Sequence, residues 1–263
     1  MSGLVTPFLM NFLLDRYGFR TALRVWAVVL VVLSAPLIYF LRPRLPVGAR
    51  IGGSPDWRRV YSGLGFLLTS TFWLLQLGLL VESLGYYIPS IYLPSFARSL
   101  GLSSSIGTLL VALVNAASVL STIMMGMLVD RFHFTTVILV STVGVTVSVF
   151  VLWGLSDALA PLVVFSISYG LFAGGFITTG VGAIKMLKAR DETTDVGILM
   201  GAIAAARGIG VLISGPLTDA LLSKSWKAGL GYASAYGGLI VFTGTSAAIG
   251  GVSFVGKRLG WMG

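Results

Sequence analysis

Seven stretches of this chain run for more than 20 residues with almost no charge: Thr21–Leu41, Leu64–Tyr92, Ser105–Val129, Phe134–Leu155, Ala158–Leu187, Val196–Leu222 and Tyr232–Val255. A helix needs about 20 apolar residues to cross the hydrocarbon of a bilayer. Each stretch is therefore long enough to be a membrane span. An eighth, Ser2–Leu14, is apolar but too short to cross alone. Lipid offers no partner for a backbone N–H or C=O, so a crossing segment folds as a helix or as a strand of a closed barrel. The alternation a barrel strand needs is absent, and helices remain. Composition agrees, because only 10% of the 263 residues are charged, against about 25% in a soluble domain. The expected fold class is an all-α integral membrane protein whose main partner is the lipid bilayer.

The net charge of +9 invites a nucleic-acid reading, which the placement of the charges argues against. The basic residues sit in short loops beside apolar runs and form no stripe along a helix, as positive-inside topology requires. With the linker Arg42–Arg59 in the cytoplasm, eleven basic residues fall inside and six outside. The inside set includes Arg131, Lys185, Lys188, Arg190, Lys257 and Arg258; the group Arg16, Arg20 and Arg24 falls outside and fits less well. On this assignment the linker and the C-terminus are cytoplasmic. No basic region precedes Met1–Leu14 and no small-residue cleavage site follows it. It is expected to be the end of a span and not a signal peptide. There is no Cys, and the one His, His133, cannot build a metal site by itself. A phosphate-binding Walker loop is also absent, so no cofactor and no metal are expected.

The segment Arg42–Arg59 carries Pro43, Pro46, Gly48, Gly52, Gly53 and Pro55 and cannot continue a helix. One full and one partial span precede it, and six follow. The second span after it closes on Gly126-Met-Leu-Val-Asp130-Arg131-Phe-His. Gly126 lets two helices approach, Asp130 can accept from a neighbouring helix N-terminus, and Arg131 can pair across the cytoplasmic face. The bland alternative is an ordinary charged turn. The string resembles the G-x-L-x-D-R loop motif of the major facilitator superfamily. Gly85-Tyr-Tyr-Ile-Pro89-Ser-Ile-Tyr-Leu-Pro94-Ser-Phe-Ala97-Arg-Ser-Leu-Gly101-Leu-Ser resembles the fungal monocarboxylate-transporter-like branch of that superfamily. So do Ala206-Arg207-Gly208-Ile-Gly210 and Ser214-Gly215-Pro216-Leu217. Gly18-Phe-Arg20-x-Ala22-Leu-Arg24 and Leu41-Arg42-Pro43-Arg44 fit the two ends of the sixth helix of such a protein.

The resemblance implies a major-facilitator-type helix bundle, N-terminally truncated, with seven full spans plus one partial. Residues 1–41 would be the remnant of the N-terminal half, comprising partial helix five and helix six. Residues 42–62 would be the cytoplasmic linker and 63–263 the C-terminal six-helix half. It further implies secondary transport of a small organic anion, such as a monocarboxylate, by alternating access, with the plasma membrane favoured over an organelle. One departure counts against a direct transfer. Animal members of the monocarboxylate branch carry an Asp and an Arg one turn apart in the eighth helix, where this chain has Ser118 and Thr122. Proton-coupled monocarboxylate transport does not carry over residue by residue.

Two ionisable groups lie deep in spans, Glu82 and Arg207. A charge at the bilayer centre costs about 2.5–3.5 kcal/mol on insertion scales, so each must face protein or water and find a partner. Arg207 is the candidate for attracting an anionic substrate, with Glu82 balancing it or exchanging a proton when the site is unoccupied. The competing role is a structural ion pair that moves nothing. Gly85 and Pro89 interrupt the span that holds Glu82, and broken helices often line transporter cavities. Tyr86 and Tyr87 would then supply wall surface and hydroxyls, or else belong to an interfacial aromatic belt, the role preferred for Tyr92. Asn115 fits a helix-to-helix hydrogen bond better than a ligand contact. Gly170-x-x-x-Gly174 and Gly197-x-x-x-Gly201 are read as close helix contacts, with a flexible gating helix as the alternative.

A rival class remains open. Alternating access uses two halves rocking about a central site, and this chain has one half and a remnant. It could be a truncated, non-transporting membrane protein or partial gene product, self-associating or pairing with the missing N-terminal half on another chain. An enzyme is not expected, because no acid, base and nucleophile cluster together and the loops are too short to fold a catalytic unit.

Overall fold

The computed structural model describes residues 2–40, 65–190, 195–223 and 236–251. All regular structure among them is helical. The chain separates into two compact units, Met1–Tyr61 and Ser62–Gly263. The linker Arg42–Arg59 lies outside the described residues, as do Lys224, Lys227 and the basic tail at Lys257 and Arg258.

The described part of the first unit is α1 (Ser2–Phe40), two helical segments joined at a kink. The partial span Ser2–Leu14 and the span from Thr21 are thus separate segments with no loop between them. They run together through a kink at Gly18, which takes φ 74° and ψ 168°. Only glycine adopts that backbone at no steric cost. Arg16–Phe40 is long and apolar enough to cross a membrane. Arg16, Arg20 and Arg24 are thus helical residues and not loop residues. Val28, Val31, Leu33 and Leu37 are all more than 60% exposed. Such a surface suits hydrocarbon as its solvent.

The second unit is built from eight helices among the described residues. They are α2 (Ser70–Tyr86), α3 (Ile88–Ser99), α4 (Ser104–Arg131), α5 (Phe134–Val147), α6 (Leu159–Ala173), α7 (Gly175–Arg190), α8 (Val196–Ser223) and α9 (Gly237–Gly250). A short 3₁₀ turn at Gly65–Leu68 precedes α2, and α5 continues as a π-helical turn over Ser148–Trp153. The apolar run Leu64–Tyr92 is not one helix. It breaks at Tyr87, and α3 restarts with Pro89 in its first turn, where a missing N–H costs nothing. Together α2 and α3 span Ser70–Ser99. Gly101 at φ 79° then ends α3 as a left-handed C-terminal residue.

The run Ala158–Leu187 also divides, at Gly174, into α6 and α7. Close packing goes with the break. A Cβ on Gly174 would lie 2.8 Å from the Cβ of Ser121, and one on Gly175 would strike Ser141 Oγ. The chain keeps these glycines where α4 and α5 press against the joint. Of the last run, Tyr232–Val255, only residues 236–251 are described.

Four helices in this unit are long and apolar enough to cross, and α6 and α9 are shorter apolar helices. The helix α4 packs along α6, and α2 lies between α8 and α9. The core is aromatic at one end, where Trp153 stacks on Phe165 at 5.4 Å and meets Phe96 edge-on. Such offset and edge contacts are the favoured ring geometries.

Candidate functional site

The site is built around α2. Two glycines bring its neighbours close. On α8, a Cβ at Gly210 would sit 2.7 Å from Ser83 Cβ and 2.8 Å from the carbonyl oxygen of Leu80; on α9, one at Gly250 would sit 2.9 Å from Glu82 Cβ. Both approaches are closer than any other residue type allows, so these glycines set the depth at which α8 and α9 dock on α2. The Gln76 side-chain amide nitrogen, Nε2, donates to the carbonyl of Ala202 at 2.8 Å and fixes the register of α2 against α8.

At this register the two deep ionisable groups meet. Arg207 Nη2 lies 3.9 Å from Glu82 Oε2. The Arg207 guanidinium also sits over the Tyr86 ring, 5.3 Å from its centroid, a cation–π geometry. Ser83 Oγ lies 3.5 Å from Glu82 Oε2 and donates to the Leu79 carbonyl at 2.6 Å. Both charges are near the middle of their spans. Glu82 is 3% exposed and the Arg207 side chain 19%, so the acid is sealed while the base keeps an open side. At 3.9 Å the pair is an ion pair without a hydrogen bond. Among the described residues no hydrogen bond engages the guanidinium, whose five N–H donors leave it able to take another acceptor.

That open side faces a cavity of about 450 Å³. Leu79 and Tyr87 line it from the α2 end, Phe176, Gly180 and Ile184 from α7, and Met200, Ile203 and Ala204 beside Arg207 on α8. On the other side of α2, Glu82 lines a much smaller space of about 10 Å³ with Tyr169, Thr243 and Ser246. The Thr243 hydroxyl is buried there with no hydrogen-bond partner among the described residues. The cation thus opens onto the large cavity and the carboxylate onto a small one that mixes Tyr169, Thr243 and Ser246 with Val145, Ala173 and Phe176.

The break at Tyr87 is held in place. Pro89 has no N–H to give the Gly85 carbonyl, so the helical ladder loses a rung there. Tyr169, buried in α6, donates its hydroxyl to the Tyr86 carbonyl at 2.7 Å, satisfying the end of α2. Tyr86 and Tyr87 pack edge to face at 4.8 Å. Tyr86 turns towards Arg207 and Tyr87 towards the cavity. Tyr92 packs half-buried against the core.

The remaining sequence candidates are elsewhere. Among the described residues Asn115 makes no helix-to-helix bond. Its Nδ2 donates to Val111 O of its own helix at 3.0 Å, because a carbonyl one turn back is always in reach of a helical Asn. It does not line the cavity. Ser118 and Thr122, standing where the animal branch has charges, likewise spend their hydroxyls on carbonyls one turn back in α4. Asp130, at the end of α4, meets no helix N-terminus; it accepts from Lys185 Nζ of α7 at 2.8 Å, with both side chains about two-thirds exposed. The N-terminus of α5 is capped instead by His133, whose Nδ1 accepts from Thr135 N–H. Arg131 is exposed, and no ion pair of it is present among the described residues. A Cβ at Gly126 would meet nothing within 4 Å, so the close approach of α4 to α6 occurs further back, at Gly170 and Gly174. Among the described residues no cluster of three metal-ligating side chains occurs.

Four residues of the site carry little signal in sequence. Gly210 and Gly250 are two of 34 glycines, Tyr169 is one aromatic in an apolar run, and only the polarity of Gln76 within a span marks it out.

The comparisons with known proteins agree with this architecture. The Major Facilitator Superfamily model matches residues 1–214. An "MFS-type transporter" of Gibberella moniliformis is 25% identical over 98% of this chain and 59% of its own length. The "Aspyridones efflux protein" of Emericella nidulans is 24% identical over 98% of this chain and 49% of its own. The "Agnestins efflux protein" of Paecilomyces divaricatus is 24% identical over 93% of this chain and 53% of its own. This chain therefore spans about half the length of the curated relatives it matches. These relatives are named as transporters or efflux proteins and not as enzymes. No solved structure matches it. An all-helical membrane bundle and a family model covering most of the residues lead to one statement: this chain belongs to the Major Facilitator Superfamily.

Proposed function

We propose that this chain works in secondary transport of an organic anion by alternating access, with Arg207 as the anion-attracting group and Glu82 as its counter-charge. One observation carries the reading. A mid-span arginine, held only by a 3.9 Å ion pair, opens onto a cavity of about 450 Å³. A purely structural pair would gain from closer contact and full enclosure, because a buried ion pair repays its desolvation only with good geometry. The relatives' names as efflux proteins support export as the direction and the plasma membrane as the site of action. The segment Gly85–Ser103 supports the fungal monocarboxylate-like branch, and the charge bias supports a cytoplasmic linker and C-terminus. Glu82 balances Arg207, or exchanges a proton when the site is unoccupied.

The test is uptake of a panel of radiolabelled carboxylates into vesicles holding the purified chain. Arg207→Ala, inserted normally, is expected to abolish uptake above empty vesicles. Unchanged uptake removes Arg207 from the mechanism.

A second reading is favoured by the length comparison: a membrane protein that does not transport alone and pairs with another chain. Gly201 and Gly208 on α8 have nothing within 4 Å of a Cβ position, which leaves a face of the second unit open. Vesicles in which the chain is inactive alone, and active once a second half-length chain is co-reconstituted, would favour this reading.

A further inference from the structure

We infer that the ligand of the α2–α7–α8 cavity is an amphipathic organic acid, one carboxylate-type anion on an apolar body of drug-like size, and not a short hydrophilic acid. The inference rests on the proposal that Arg207 receives an anion, and narrows it.

Three observations carry it. First, size. At about 450 Å³ the cavity falls in the ~300–1,000 Å³ range of sites that enclose drug-sized ligands. A two- or three-carbon acid would touch Arg207 and leave most of the walls without contact.

Second, the distribution of polarity. Arg207 and Tyr87 are the polar side chains of the lining, and the others, among them Leu79, Phe176, Val181, Ile184, Met200 and Ile203, are apolar. Among the described residues no other charged side chain lines this cavity, and Glu82 belongs to the smaller space. A polyhydroxylated or multiply charged ligand would bury groups with no partners, which is costly. A single anion with a hydrocarbon or aromatic body leaves none. Gly180 and Ala204 keep the space open by lacking side-chain bulk, and Met200 can adapt to different bodies.

Third, competition. The Glu82 carboxylate, 3.9 Å away, already offsets the Arg207 charge, so an anion that joins the guanidinium competes with it for that charge. A short acid offers only what the Glu82 carboxylate already offers. An acid with an apolar body adds burial that Glu82 cannot match, and so wins the guanidinium.

The test is calorimetric titration of the full chain in phosphatidylcholine nanodiscs, with empty discs as baseline. Acetate, decanoate and decanamide are the probes. Decanoate is expected to bind saturably, about 100-fold tighter than acetate, from the added methylenes less the cost of ordering them. Decanamide, which keeps the body and loses the charge, is expected to bind at least about 10-fold more weakly than decanoate. Arg207→Gln should abolish the preference for acid over amide. Val181→Trp, which fills the cavity from α7 and not from the helix that carries Arg207, should abolish decanoate binding and keeps the test decisive if the arginine variant fails to fold.

Equal affinity for acetate and decanoate would leave the anion reading standing and overturn this one. No binding of either acid would overturn both. Saturable decanoate binding untouched by both variants would mean partition at another surface and overturn the inference. Loss of decanoate binding in discs of phosphatidylglycerol, with wild-type binding in phosphatidylcholine, would make an anionic lipid the occupant and also overturn it.

Discussion

A side-chain carbon added at Gly170 would run into the Val114 carbonyl and lie 2.7 Å from Ala117 Cβ, and one at Gly174 would lie 2.8 Å from Ser121 Cβ. The same carbon added at Gly201 would meet nothing within 4 Å, and at Gly197 only Asp195 Oδ1, at 3.1 Å. Both pairs are Gly-x-x-x-Gly in sequence, yet only the first is a helix contact here. The first belongs to the seam between α4 and α6, which is tight and carries no charge. There Ser121 donates to the Leu171 carbonyl across the helices. The second lies on α8, whose long contact with α2 includes Gln76, Gly210 and the Glu82–Arg207 pair and borders a cavity between α2, α7 and α8. A seam of small residues in contact has no slack, because packed interiors resist small changes of volume. The comparison assigns the tight, uncharged contact to α4–α6 and the charged one to α2–α8.

The sharpest way to break this assignment is to remove one member of the α2–α8 pair. Arg207→Ala leaves the Glu82 carboxylate buried without its counter-charge, and an orphaned buried charge costs about 3–5 kcal/mol. Thermal unfolding in detergent should show a large loss. Adding Glu82→Gln should recover most of it, because the double variant has no charge left to bury. If the single variant is as stable as the parent, the pair is not the link between α2 and α8, and the contrast with the α4–α6 seam fails.

The second effect falls on the seam itself. Gly170→Leu places a branched side chain against the Val114 backbone, which cannot turn away as a side chain can. Overpacking of this kind costs about 1–3 kcal/mol. The same unfolding measurement should show that loss, while decanoate binding per folded molecule stays unchanged, because Gly170 is not among the residues lining the cavity. A fall in affinity with stability intact would place function in the wrong seam.

The sequence made much of this legible. Apolar length set the spans, and the price of a charge in hydrocarbon singled out Glu82 and Arg207, which the fold then places 3.9 Å apart. Pro89 announced the break in the α2–α3 span, although the break falls two residues earlier, at Tyr87. Other features were not visible because they depend on what comes from far along the chain. Gly174 reads as one more packing glycine until Ser121 and Ser141 are seen pressing on the α6–α7 joint. Asn115 reads as a polar contact between helices, yet its own helix satisfies it first. Asp130 and Lys185 are 55 residues apart, and nothing local to either predicts their pairing. Pattern reports what a residue is able to do; whether it does so depends on the neighbour that arrives.

The smallest effect is the one that tests that statement most directly. Gly201→Leu changes the same residue type in the same motif as Gly170→Leu, on a helix of similar apolar character. Its Cβ position is open within the second unit, and leucine is a better helix former than glycine by nearly ~1 kcal/mol. The unfolding midpoint should stay level or rise slightly, where Gly170→Leu lowers it. Matched losses in the two variants would mean that α8 carries a close partner at Gly201 in the membrane, and that the two motifs do the same job after all. A level midpoint, paired with a loss at Gly170, leaves the motif itself without meaning and gives all of it to the opposing surface.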